Sequence, residues 1–160
     1  RNVDSLKSLQ ASGVNITSNN KEAVQNSDII IVALKPYNVI EVLESLKESF
    51  QPSRHVIISV VTGVLLKDLA SIVNTGVPIF RAMPNTAIAI QESVTCLCHQ
   101  GASKEQVNYV TELFSQLGIS INIDEKLMDA ATGCTGIDAT QFPPPCWTNG
   151  TDAYVPPFTA

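Results

Sequence analysis

Apolar residues follow two different spacings along most of the chain. Continuous apolar runs at residues 28–34 and 56–61 are typical of parallel strands that are covered on both faces. Elsewhere apolar residues recur every three or four positions, as Val39, Leu43 and Leu46 do, which predicts helices with one buried face. Shorter strand-like runs are predicted at residues 14–17, 79–82, 94–98 and 119–123. Strands that alternate with helices in this way predict an α/β fold with a largely parallel sheet.

Capping residues predict where several helices begin. Asn20 is expected to cap a short helix over residues 21–25, because its side-chain oxygen can accept a hydrogen bond from an unpaired backbone amide. Ser103 and Gln106 have the spacing of a capping box ahead of an apolar stripe. Asp124 or a neighbouring residue is expected to begin a last helix. These signals also fix where the loops between the predicted elements lie.

Three connecting loops are predicted at the carboxyl ends of strands. Ligands of parallel α/β sheets bind outside this edge, where loops and helix starts present backbone amides. The loops lie at residues 33–36, 59–63 and 81–86. If the three strands are neighbours, Lys35, Thr62 and Asn85 should lie along one edge and border a single ligand site.

Length, charge and hydropathy exclude several classes of function. The chain of 160 residues is long enough for one domain with a buried core. Its net charge is −5 and its Lys and Arg residues are scattered, so a nucleic-acid partner is not expected. The longest apolar runs are far too short to span a membrane, and the first residues show no signal-peptide pattern.

The cysteines predict buried thiols rather than a metal site. Cys96 and Cys98 are two residues apart in a strand-like run, so both should point to the same face. A zinc site would need cysteines at metal-ligand spacing or more histidines than His55 and His99. We therefore expect no metal, and reduced thiols are typical of a cytoplasmic protein.

Several short segments occur in an order and at a spacing that match a known family. The most specific of them is Met83-Pro84-Asn85-Thr86, at the end of a predicted strand. The others are Gly13-Val14, Asn20 to Val24, Ser27 to Ile29, Val32 to Pro36, Ser59 to Gly63, Arg81-Ala82 and Leu127 to Gly133. Over residues 1–136 this ordered set resembles the pyrroline-5-carboxylate reductase family. The resemblance implies a Rossmann-like, doubly wound, largely parallel sheet.

The resemblance also implies a reaction, a cofactor and contact residues. The enzymes transfer a hydride from NADPH or NADH to the C=N carbon of 1-pyrroline-5-carboxylate, which gives L-proline, and they are homo-oligomers. Glu125 matches an acidic position near the substrate. Relatives often carry alanine where this chain has Val60, Val61 and Thr62, so a bulkier loop is expected beneath the nicotinamide ring. The implied cofactor contacts are Asn20, Ala33, Leu34, Lys35, Pro36, Ser59, Val60, Val61, Thr62, Gly63, Met83, Pro84 and Asn85.

Each polar residue among these positions also has a structural explanation. Asn20 can serve as a plain helix cap, Lys35 as a solvated surface charge and Asn85 as a turn-forming residue. Glu125 can be an exposed carboxylate that the dipole at a helix start favours. Arg81 could clamp a substrate carboxylate, but its place inside a strand favours a structural role.

The sequence departs from the family at both ends of the match. No glycine-rich G-x-G-x-x-G segment occurs, although the family uses this loop to bind the pyrophosphate. After Gly136 a proline-rich segment, residues 137–160, stands where the family has a serine- and glycine-rich loop and dimerisation helices. We expect this segment to be extended or disordered. We also expect a partial nucleotide-binding domain over residues 1–136, with weak activity or none on its own.

Other functions remain open at this point. The architecture is shared by 6-phosphogluconate-dehydrogenase-like oxidoreductases, including enzymes similar to β-hydroxyacid dehydrogenases and ketopantoate reductases. These would use a catalytic lysine on a later helix, and the M-P-N-T segment argues against them. A non-catalytic nucleotide-binding remnant is a second alternative, and a structural domain without a ligand is a third. Stabilisation by NADPH and turnover of pyrroline-5-carboxylate would separate these alternatives.

Overall fold

A computed structural model describes most of the chain, namely residues 6–73 and 76–135. The proline-rich segment that we predicted to be extended or disordered, residues 137–160, lies outside these residues. Within them, strands and helices alternate as the apolar spacing predicts. No helix of the described residues is both long and apolar enough to cross a membrane.

One sheet of five strands forms the centre of the described residues. The strands lie side by side in chain order as β1 (Ile29–Val32), β2 (Val56–Ser59), β3 (Ile79–Met83), β4 (Ser93–Gln100) and β5 (Gly118–Asn122). Strands β1, β2 and β3 pair in parallel, β4 runs antiparallel to β3, and β5 is parallel to β4. The prediction of an α/β, Rossmann-like and largely parallel sheet is therefore confirmed.

Helices connect the strands and cover both faces of the sheet. The α-helices of the described residues are α1 (Lys7–Gln10), α2 (Asn20–Gln25), α3 (Pro36–Leu46), α4 (Leu66–Ile72), α5 (Lys104–Ser115) and α6 (Met128–Thr135). Short 3-10 helices occur at Lys47–Ser49, Thr86–Ile90 and Glu125–Leu127. The predicted capping box is present, because Ser103 and Gln106 each accept a hydrogen bond from the other's backbone amide. The last predicted helix is divided into a 3-10 turn, capped by Asp124, and α6.

The strand predicted at residues 14–17 is wrong. These residues belong to no strand, and Val14 is 46% exposed. Among the described strands, β1 pairs only with β2, so no neighbouring strand supplies ladder hydrogen bonds to this segment. Alternation over four residues cannot form a strand without such a partner.

The cap of α2 is Asn19 and not Asn20, which is the first residue of the helix. The Oδ1 of Asn19 accepts hydrogen bonds from the amides of Lys21 and Glu22, at 3.1 and 3.4 Å. Thr17 fixes this entry, since its Oγ1 accepts from the Asn19 amide and donates to the Glu22 carboxylate. Two adjacent asparagines have the same capping chemistry, so the sequence signal alone cannot choose between them.

Apolar residues are buried on both faces of the sheet. Ile57 and Ile58 are both fully buried, although successive strand residues point to opposite faces. The face of Ile57 packs on α3, α4 and α6 through residues that include Val39, Leu43, Leu46, Leu66, Leu69, Ile72 and Met128. The face of Ile58 packs on α5 through Phe80, Ala82, Leu97, Val110 and Phe114. Full burial of each large side chain contributes about 1.5–3 kcal/mol, which holds the strands in register.

The two strand cysteines are buried, as predicted. Cys96 and Cys98 both belong to the apolar cluster on the Ile57 face, and both are free thiols. Burial raises the pKa of both thiols, that of Cys98 to about 11. They are therefore protonated at neutral pH and behave as small apolar groups.

His55 is a buried histidine that the fold favours in its neutral form. Its side chain is 1% exposed, and its Nδ1 accepts a hydrogen bond from the Gln51 amide at 3.0 Å. Burial lowers the pKa of His55 below its ordinary value of 6.5, and the nearby Arg54 charge acts in the same direction. The unfolded chain therefore binds this proton at a higher pH than the folded chain. The free energy of unfolding should be undiminished above pH 6.5 and should fall as the pH decreases below it.

Urea unfolding at a series of pH values tests this prediction. His55→Gln keeps an oxygen that can accept from Gln51 but has no titrating group, so the loss of stability between pH 7 and pH 5 should be smaller. His99→Gln is the matched control, because His99 is exposed on β4. If wild type and His55→Gln lose the same free energy over this range, the assigned role of His55 is wrong.

Candidate functional site

The carboxyl ends of β1, β2 and β3 lie along one edge of the sheet. Val32 pairs with Ser59, and Ser59 pairs with Arg81, so the three parallel strands end within about two residues of one another. The loops that follow them therefore lie side by side, at residues 33–36, 59–63 and 83–85. The third loop is shorter than the predicted 81–86, because β3 continues to Met83 and a 3-10 helix begins at Thr86. We call this set of loops the carboxyl edge. It is the geometry that the sequence predicts for a ligand site.

The loop after β1 presents the start of α3. Leu34 packs against the apolar core, whereas Ala33, Lys35 and Pro36 are exposed. Pro36 is the first residue of α3, a position where a missing amide costs no helix hydrogen bond. Lys35 immediately precedes it, and its side chain does not cap the helix. The positive charge of Lys35 thus lies next to the positive end of the α3 dipole, which favours an anion.

The loop after β2 turns its bulky residues inward. Ser59 is fully buried, and its Oγ accepts a hydrogen bond from the Val61 amide at 3.3 Å. Val61 is buried in the cluster on the Ile57 face, and Val60 packs against the cluster on the other face. Only Thr62 and Gly63 of this loop are exposed. The bulk that we expected beneath a nicotinamide ring is therefore largely packed in the interior.

The loop after β3 is fixed by β4. Met83 is buried, and Pro84 and Asn85 are partly buried. The backbone amide of Asn85 donates to Ser93 Oγ at 3.3 Å, and the side-chain Oδ1 of Asn85 accepts from the backbone amide of Val94 at 3.4 Å. The hydroxyls of Ser93 and Thr95 are both buried and lie 3.1 Å apart. These contacts hold Asn85 in place, while its side-chain nitrogen, Nδ2, can still donate to a ligand.

A partly buried ion pair connects β3 to the segment before α6. Arg81 is 1% exposed, and its Nη1 donates to Glu125 Oε1 at 2.8 Å. The same oxygen accepts a hydrogen bond from the amide of Leu66, the first residue of α4, at 2.6 Å. Glu125 keeps 28% of its side chain exposed, so it is not the fully exposed helix-start carboxylate that we considered as an alternative.

Asn20 is not tied to the carboxyl edge by any contact of the described residues. It is exposed at the start of α2, a helix that ends just before β1. Its contact with a cofactor stays a prediction.

Three residues that help to build the carboxyl edge were not singled out from the sequence, namely Ser93, Thr95 and Leu66. The amide of Leu66 carries no sequence signal, and buried hydroxyls in an apolar strand are visible only as polar interruptions.

A second concave region lies at the opposite edge of the sheet. This open cavity of about 390 Å³ is next to α5 and is lined by residues that include Asp28, Arg54, Val56 and Tyr109. Its main polar groups already have partners, since Arg54 donates to Asp28 at 2.6 Å and to the Gln25 carbonyl at 2.9 Å. It offers few free polar groups to orient a ligand, so the carboxyl edge is the stronger candidate.

Comparisons with known proteins point to one family. A family model described as NADP oxidoreductase coenzyme F420-dependent matches residues 1–63. Pyrroline-5-carboxylate reductase of Methanosarcina acetivorans is 35% identical over 133 residues, which cover 82% of this chain and 49% of that protein. Pyrroline-5-carboxylate reductase 1 of Dictyostelium discoideum is 34% identical over 144 residues, which cover 82% of this chain and 26% of that protein. The chain thus spans half or less of the length of these relatives.

Solved structures agree with these sequence matches. Pyrroline carboxylate reductase of Plasmodium falciparum with NADP bound has a TM-score of 0.71 and 31% identity, covering 76% of this chain and 46% of that one. The chain belongs to the pyrroline-5-carboxylate reductase family. The pyrroline-5-carboxylate reductase of Coxiella burnetii reaches a TM-score of 0.78 at 26% identity, over 85% of this chain and 52% of that one.

More distant neighbours share the fold alone. Prephenate dehydrogenase of Aquifex aeolicus in complex with hydroxyphenyl propionate and NAD⁺ has a TM-score of 0.66 at 12% identity. The carboxyl edge is therefore built on an architecture that this prephenate dehydrogenase also has.

Proposed function

We propose that the chain is the cofactor-binding part of an enzyme that reduces 1-pyrroline-5-carboxylate to L-proline with NADPH or NADH. The observation that carries the proposal is the carboxyl edge, where three loops with the family's sequence pattern follow adjacent parallel strands. Supporting it, NADP is bound in the related Plasmodium falciparum reductase.

The residues of the carboxyl edge fit the nicotinamide side of such a cofactor. Gly63 has a φ of +78° and open space where a Cβ would stand, so a flat ring can approach the backbone closely. Asn85 is held by β4 and can donate to a carboxamide. Lys35 and the start of α3 suit a phosphate. The sequence has no G-x-G-x-x-G segment, so none of its residues is assigned to the pyrophosphate.

The residues of this chain would act mainly by positioning the reactants. The cofactor supplies a hydride when bound, and a protonated imine is already electrophilic. Thr62 and Gly63 would then support the ring from below while Asn85 orients it, which brings the two reacting carbons into near contact. Glu125 is proposed for the substrate side, where part of its side chain is exposed.

The setting of the enzyme is also part of the proposal. The buried, free thiols of Cys96 and Cys98 are typical of a reducing compartment, which supports a cytoplasmic location. The complete enzyme is proposed to be a homo-oligomer. The net charge of −5 agrees with a small-molecule substrate and gives no support for a nucleic-acid partner.

Binding of NADPH is the first test of the proposal. Thermal unfolding with saturating NADPH should show stabilisation of about 2.7 kcal/mol at a concentration one hundred times Kd. Asn85→Ala should weaken NADPH binding on the order of tenfold, because a fixed amide donor is lost. Asn122→Ala is the matched control, since Asn122 also makes a side-chain hydrogen bond but lies at the end of β5. Equal affinities of the two variants would remove Asn85 from the site.

Turnover separates the proposed function from the alternative of a non-catalytic nucleotide-binding protein. NADPH oxidation that depends on added pyrroline-5-carboxylate, even if slow, supports the reductase. Binding of NADPH with no such oxidation favours the non-catalytic alternative. No binding at all would contradict both.

A further inference from the structure

A single carboxylate oxygen connects three parts of the fold that are far apart in sequence. Oε1 of Glu125 accepts from Arg81 Nη1 at 2.8 Å and from the Leu66 amide at 2.6 Å. Arg81 and Leu66 lie 44 and 59 residues before Glu125. Both contacts are short, charge-assisted hydrogen bonds, which are roughly twice as strong as neutral ones.

The Leu66 amide is the point where the loop after β2 returns to the sheet. Within this loop, Thr62 and Gly63 are exposed at the carboxyl edge, whereas Val64 and Leu66 are buried. The loop is thus anchored at one end by Ser59, which accepts from the Val61 amide, and at the other end by Glu125. Moving the Leu66 anchor would move Thr62 and Gly63 with it.

The buried guanidinium of Arg81 makes an ion pair with this carboxylate. Its guanidinium is 1% exposed, and its Nε has no partner among the described residues. A buried guanidinium needs a counter-charge, and Glu125 is its ion-pair partner within 4 Å. Arg81 therefore restricts Glu125 to one position, and Glu125 in turn restricts the start of α4.

We propose that Arg81 and Glu125 are a positioning pair. Through the Leu66 amide, the pair fixes the position of the Thr62-Gly63 turn relative to the other loops of the carboxyl edge. The pair acts on cofactor binding without contacting the cofactor. This inference deepens the proposed function and rests on it for its binding measurement. Its structural part can be measured without any ligand.

The two roles of Glu125 differ in what a neutral replacement does. If Glu125 acts by holding Leu66, Glu125→Gln should preserve most of the effect, because its amide oxygen can still accept from the Leu66 amide. If Glu125 acts through its negative charge on the ligand, Glu125→Gln should be as damaging as Glu125→Ala. Asp129→Ala is the matched control, since Asp129 is an exposed carboxylate on α6.

Amide hydrogen exchange and chemical shifts of the ligand-free chain test the anchor. In Glu125→Ala, exchange of the Leu66 amide should accelerate about tenfold or more, and the amide resonances of Thr62 and Gly63 should shift. Glu125→Gln should retain most of the Leu66 protection. Arg81→Met should shift the same two resonances, because Arg81 acts on them through Glu125 and the Leu66 amide. If Glu125→Ala does not fold, the comparison of Glu125→Gln with Arg81→Met carries the test.

NADPH affinity then tests the link to the site. Arg81→Met should weaken binding about tenfold, and Glu125→Gln should stay within about threefold of wild type. The proposal is overturned if Arg81→Met leaves the Thr62, Gly63 and Leu66 amides unchanged, or if it shifts them without weakening NADPH binding. Absence of NADPH binding by wild type would instead refute the proposed function, while the exchange data would still decide whether the pair anchors Leu66.

Discussion

Gly118→Ala is expected to destabilise the chain by about 4 kcal/mol or more and to detach β5 from β4, a loss that few single substitutions reach. Gly118 has a φ of +133°, which other residues rarely adopt. A Cβ at this position would collide with the backbone N and O of Ser93, the residue with which Gly118 pairs across the sheet. Backbone atoms of a central strand cannot move aside, so the strand pair must open.

Urea unfolding measures this loss, and Gly101→Ala is its control. Gly101 also has a positive φ of +73°, but the nearest atom to its added Cβ is 4.0 Å away. The control should therefore cost only the conformational strain, on the order of 1–2 kcal/mol. Similar losses in the two variants would show that the close approach of β4 and β5 at Gly118 is not real.

Glu125→Ala is expected to cost more stability than Arg81→Met, although both remove the same ion pair. Arg81 is 1% exposed, so without Glu125 its charge is buried and uncompensated, which costs about 3–5 kcal/mol. Glu125 is 28% exposed, so without Arg81 its carboxylate can still be solvated by water. We expect a loss of about 1–2 kcal/mol for Arg81→Met.

The double variant makes this asymmetry a strict test. Adding Arg81→Met to Glu125→Ala should recover part of the stability, because it removes the unpaired buried charge. Chemical unfolding of the two single variants and the double variant gives the coupling free energy. The assigned burial and pairing would be contradicted if the double variant lost as much free energy of unfolding as the two single variants together. A smaller loss for Glu125→Ala than for Arg81→Met would also contradict them.

The sequence predicts the elements that local chemistry determines. The apolar run of β2 is covered on both faces, as predicted. For the run of β1 the same prediction is only partly right, because Ile31 is 54% exposed among the described residues. The Ser103 and Gln106 capping box needs only neighbouring residues, so it is also predictable. The carboxyl edge follows from these elements, because parallel neighbours place their following loops together.

Features that depend on distant partners could not be predicted. The segment at 14–17 has the alternation of a strand but no partner within the described residues. The direction of β4 was not specified beforehand, although the connection over residues 84–92 is too short for a parallel crossover. The contact of Glu125 with Leu66 spans 59 residues and uses a backbone amide, which every residue except proline has. No residue pattern can indicate such a contact.

An NMR titration of the isotope-labelled chain with NADPH tests the central claim most directly, since it locates the ligand on the fold residue by residue. The account predicts that the largest amide shifts occur in the three loops at 33–36, 59–63 and 83–85. Shifts confined to the cavity beside α5, around Asp28, Arg54 and Tyr109, would contradict it.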